Sequence, residues 1–102
     1  MTKELQIDLR AILSREDEVW LAHCLEMDIV AEGNTPREAV QDLIDLCTFQ
    51  IETAIEHHDL ASVFRPAPPE VWIQFFSSKK KKQLRHHKGP VKTVEGRELE
   101  LI

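Results

Sequence analysis

At 102 residues, with 42% hydrophobic and 30% charged side chains, the chain has the size and composition of one soluble globular domain. It has no apolar run near the roughly 18 residues of a membrane helix, and its start, Met1-Thr2-Lys3-Glu4, lacks the apolar core of a signal peptide, so cytoplasmic residence is expected. Charge is divided: residues 1–76 hold 5 Lys/Arg against 15 Asp/Glu, and residues 77–102 hold 8 against 3. The acidic body repels phosphates and suits a basic partner.

Leu5 to Leu13 alternates, with Leu5, Ile7, Leu9 and Ala11 on one side and Gln6, Asp8 and Arg10 on the other, which predicts a half-buried strand. Ser14 to Glu18 is a charged turn. Val19 to Leu25 is apolar on both sides and reads as a central strand, with Trp20 in the core and His23 a bystander. Met27 to Glu32 makes a short third strand, completing a meander.

Gly33-Asn34 breaks that strand, and a helix start follows. Thr35 is the N-cap, Pro36 takes the first helical position and Glu38 completes a capping box. The helix is predicted to run to about His58, with Val40, Leu43, Ile44, Cys47, Ile51, Ala54 and Ile55 as its apolar stripe. Leu46 and Phe49 widen the stripe beyond what one sheet face needs, which points to a second contact, with another subunit. Asp42, Asp45, Glu52 and Glu56 decorate the remaining, solvated side, and His57-His58-Asp59 close the helix.

Residues 60–69 end in Arg65-Pro66-Ala67-Pro68-Pro69 and read as a rigid connector. Val71-Trp72-Ile73-Gln74-Phe75-Phe76, β-branched and aromatic, reads as a fourth strand. The predicted class is α+β in the order β-β-β-α-β: an antiparallel meander, one long helix on one sheet face and a fourth strand. Trp72, Phe75 or Phe76 would then cover the bare second face through oligomerisation. The domain spans residues 3–76, a basic linker residues 77–90, and a tail residues 91–102. The linker residues Lys79, Lys80, Lys81, Lys82, Arg85 and Lys88 offer a salt-sensitive nucleic-acid contact. Within the tail, Val91–Val94 and Leu99–Ile102 flank Glu95-Gly96 as a small hairpin.

Cys24 and Cys47 form no disulfide framework and read as reduced, inward-facing thiols. There is no GxSxG elbow, no phosphate-binding glycine loop and no HExxH, and no cofactor or metal is expected. A nuclease using two metals would need Asp8, Glu26, Asp28 and Glu38 to converge.

Trp20, Ala22 and Cys24, then Leu25-Glu26-Met27-Asp28 and Glu32-Gly33-Asn34-Thr35-Pro36-Arg37-Glu38-Ala39, resemble the HicB family over roughly residues 3–76. The resemblance implies a partial ribonuclease-H-like fold and a non-catalytic antitoxin. Its partner would be a small basic HicA-type messenger-RNA interferase, whose surface it masks. The residues placed at that contact are Asp28, Glu32, Asp42 and Asp45. Two-domain HicB proteins carry a DNA-reading segment after the core; residues 77–102 are too short and polar for a helix-turn-helix, so specific DNA binding is not expected. The alternatives left open are an orphan self-assembling module and a residual metal-dependent nuclease.

Overall fold

The computed structural model describes residues 6–85 and 89–99, the side chains of 82–85 excepted. Strands β1 (Ile7–Glu16), β2 (Val19–Cys24) and β3 (Ile29–Gly33) form the meander, and helix α1 (Pro36–Glu56) follows. A single 3-10 turn, Leu60–Val63, then leads to α2 (Pro69–Ser77), β4 (Lys80–Arg85) and β5 (Val91–Glu98). The five strands lie in the order β3-β2-β1-β5-β4. Neighbours are antiparallel except β1 and β5, which run parallel. The chain is thus α+β, with one long helix packed across a mixed sheet.

The periodicity of β1 decides which residues meet α1. Leu9, Ala11 and Leu13 join Ala22, Cys24, Ala31, Val91 and Val94 in a core against Val40, Leu43, Ile44, Cys47 and Ile51. Between β1 and β5 the register shifts so that Ile7 faces Val91 but Asp8 faces Thr93. Lys92 is therefore the extra residue of a bulge, and Val91 and Val94 are both buried although three positions apart. Gly33 lies so close to the start of α1 that a Cβ there would stand 2.5 Å from the Ala39 nitrogen. Only glycine fits at that strand-to-helix turn.

The expected strand over Val71–Phe76 is instead the helix α2. Pro69 sits in its first turn with φ already set, Glu70 complements the helix dipole, and Phe75 is driven onto the sheet. Phe75, 1% exposed, packs with Ile12 and Leu25 on the face opposite α1, flanked by Val71, Trp72 and Leu99. Burial on a ready-made sheet face outweighs the β-propensity of the segment. The second face is thus covered in part from within the chain; of the three aromatics expected to cover it between subunits, Phe75 is buried intramolecularly.

The basic segment is no simple linker, because residues 80–85 form edge strand β4 on β5. Lysines are common on such edges, where their charge deters pairing with other chains. The Glu95-Gly96 hairpin is also replaced: both residues lie inside β5, Gly96 between Ala11 and Lys82. A long parallel pairing with β1 satisfies more backbone than an isolated hairpin would. Residues 100–102 of the expected hairpin, Leu5 of the expected first strand, and Lys88 lie outside the described residues. Among those described, no helix is long and apolar enough to cross a membrane.

Candidate protein-interaction surface

Helix α1 begins where the local chemistry placed it. The Glu38 N–H donates to the Thr35 hydroxyl at 3.1 Å, while the Glu38 carboxylate accepts from the Asn34 N–H at 2.8 Å. The reciprocal bond thus reaches one residue further back than in the usual capping box. These residues set the rotation of α1 on the sheet, and with it the outward face.

That outward face carries Asp42, Asp45, Phe49, Glu52 and Glu56, all exposed, at spacings of three and four residues. Such spacing aligns them as one ridge. Phe49, at the middle of the ridge, is 65% exposed, and Leu46 and Ile55 are exposed beside it. Asp45, Thr48, Phe49, Glu52, Ile55 and Glu56 line an open groove of about 520 Å3. Asp45 accepts one bond from Gln41 at 3.2 Å, and Arg37 is the only cationic residue of the helix. An apolar anchor ringed by carboxylates suits a basic, partly apolar protein surface.

The four residues expected at a partner contact do not form one surface. Asp42 and Asp45 belong to the α1 ridge. Glu32 alternates with Ala31, which packs toward α1, so Glu32 and Val30 project from the opposite sheet face. Asp28, at φ 52°, holds His23 through a 2.6 Å contact from Oδ1 to Nε2. Glu52, Glu56 and Phe49 belong with Asp42 and Asp45 instead, and their three-four spacing was visible in the sequence as the signal.

The carboxylates considered for metal chemistry are dispersed. Asp8 accepts from the Thr93 hydroxyl at 2.6 Å. Glu26 accepts from the Arg10 backbone N–H at 2.8 Å and from its guanidinium at 2.9 Å. Asp28 holds His23 and Glu38 caps α1. Among the described residues no group of three or more His, Cys, Asp or Glu is placed to hold a metal ion.

Cys24 and Cys47 are free and buried, one on each side of the interface between β2 and α1. A hydrogen bond with Cys24 pushes the Cys47 thiol well above its ordinary pKa; burial and the charges of Cys24 and Glu26 add to it. This thiol is held protonated.

A second surface of opposite character lies across the molecule. On α2, Ile73 and Phe76 are 64% and 63% exposed, and the Phe76 ring stacks 6.4 Å from that of Trp72. Lys79, Lys80 and Lys81 follow directly, all exposed. Arg97 lies under α2, its guanidinium 4.7 Å from the centre of the Phe75 ring, and Lys81 stands opposite Arg97 in the sheet. Lys81 therefore faces the α2 side, whereas Lys80 stands 3.9 Å from Glu98. Of the expected nucleic-acid residues, Lys79 and Lys81 are brought to this surface, and Lys80 lies on the other side of β4 beside Glu98; the side chains of Lys82 and Arg85 lie outside the description. Comparison of the chain with protein-family models, with curated proteins and with solved structures gave no match.

Proposed function

We propose that this chain is a non-catalytic, cytoplasmic binding protein of the HicB-like antitoxin type, whose α1 ridge receives a small basic partner of the HicA interferase kind. The observation that carries the reading is the ridge itself: Phe49 exposed at the centre of Asp42, Asp45, Glu52 and Glu56. An exposed aromatic desolvated at the centre of a contact supplies affinity, while the surrounding carboxylates steer a cationic partner and set its orientation. The order β-β-β-α followed by a strand returning beside β1 also suits the resemblance, with α2 and β4 as additions to it.

The test is recovery of the tagged protein from its native lysate at low and moderate salt, with ribonuclease added. A stoichiometric small basic protein whose RNA cleavage is blocked by the wild-type chain, and released by Phe49→Glu, supports the reading. Inhibition that survives Phe49→Glu together with Glu52→Lys would remove the ridge from the contact. A recovered partner without RNA-cleaving activity would remove the antitoxin role.

A further inference from the structure

The two exposed surfaces match each other, and we infer that the α1 ridge of one copy docks on the α2–β4 patch of a second copy. Each patch supplies what the other lacks. On α1, Phe49 and Ile55 lie among Asp45, Glu52 and Glu56, with no cation among the groove residues. On α2 and β4, Ile73 and Phe76 lead straight into Lys79 and Lys81. Neither patch meets the other within one chain, because α1 and α2 lie on opposite faces of the sheet. The carboxylates of one copy need the ammonium groups of the next, and the exposed aromatics become the dry centre between them.

The pairing joins unlike surfaces, so it is head-to-tail: a copy docked through its ridge still offers its own α2–β4 patch. Edge pairing through β4 is the less fitting route to self-association, since it would bring two strands of like, basic charge side by side. The inference concerns the same ridge as the antitoxin reading but does not depend on it. Self-association is measured with the pure chain alone, so its failure leaves docking of a foreign basic protein untouched.

The test is the mass of the full chain in solution, by light scattering and sedimentation from micromolar to millimolar concentration, at about 0.05 M and about 0.5 M salt. The expected result is a mass that rises with concentration at low salt and rises less at high salt. Phe49→Glu, on a side chain the fold does not bury, should weaken the association at least tenfold, as expected for a central anchor. Two charge-reversed chains complete the test. One carries Glu52→Lys and Glu56→Lys; the other carries Lys79→Glu and Lys81→Glu. Each alone should remain monomeric, and a mixture of the two should associate again, because every ridge then meets a patch of opposite charge. A monomer under all conditions overturns the inference, as does an assembly indifferent to these substitutions, or a mixture that fails to associate. It also falls if Lys79→Glu with Lys81→Glu abolishes retention of a single-stranded oligonucleotide and leaves the mass unchanged, which would make the patch a nucleic-acid contact.

Discussion

The guanidinium of Arg97 lies 4.7 Å from the centre of the Phe75 ring and donates from Nη1 to the Ser78 carbonyl at 2.8 Å. One side chain thus fastens α2 to β5 at both the aromatic face and the helix end. Its Nη2 also reaches Glu95 at 3.2 Å, which keeps the charge compensated in a largely covered position. Arg97→Met should cost about 2 kcal/mol through the lost charged hydrogen bonds. Phe75→Ala should cost about 3–5 kcal/mol, since the ring fills the space over Ile12 and Leu25. Urea unfolding of the two variants checks both values, and Phe75→Ala should be the more damaging.

Gly33→Ala should destabilise by about 1–3 kcal/mol, because the new Cβ meets backbone and not a flexible side-chain end. Thr35→Ala removes a cap hydrogen bond and should cost about 1 kcal/mol. Thermal unfolding of both variants would rank them. A Gly33→Ala protein as stable as wild type would mean that the turn can open without loss.

Phe49→Gln should leave stability within about 0.5 kcal/mol of wild type, as expected for an uncharged change at an exposed position away from caps and core. Circular dichroism during urea titration of the dilute protein checks this. A large loss would give Phe49 a role inside the fold and would disqualify it as a probe of binding.

Cys47 supplies a pH dependence whose sign is fixed by its raised thiol pKa. In the unfolded chain the thiol ionises near its ordinary value of 9.0, while in the folded chain it stays protonated beyond that value. Above this pH the unfolded state therefore binds fewer protons. Folding stability should be fully present below about pH 9 and should fall by up to about 1.4 kcal/mol per pH unit above it. Cys47→Ala should flatten this alkaline slope while lowering stability at neutral pH. Denaturant midpoints measured between neutral pH and pH 10.5, roughly, would show whether the slope disappears.

What could be read along the chain was what neighbouring residues decide. Thr35, Pro36 and Glu38 satisfy the first helix donors among themselves, so the start of α1 was legible, and alternation made the meander so. Val71–Phe76 misled because β-propensity describes a preference for a pleated surface, whereas Phe75 finds one by lying across it as part of a helix. The prolines at 68 and 69 were the opposing local signal. Lys80–Arg85 gave no apolar pattern to read, since an edge strand can be held by backbone bonds to β5 alone. The ridge was half legible: its spacing stands in the sequence, but that Phe49 stays uncovered depends on α2 packing against the other face of the sheet.

The parallel pairing of β1 with β5 sets an order of events for a chain made from its first residue onward. Ile7 needs Val91 and Leu13 needs Glu98, so one side of β1 stays without its neighbour until the residues through Glu98 have been synthesised. The meander and α1 join by contacts close in sequence, which favours their early formation, and the other edge of β1 stays open until β5 is made. A chain that stops before Val91 leaves that edge and the adjoining apolar side chains accessible to other nascent chains. Of the described strands, the latest in the chain is thus the one that lies inside the sheet, between β1 and β4.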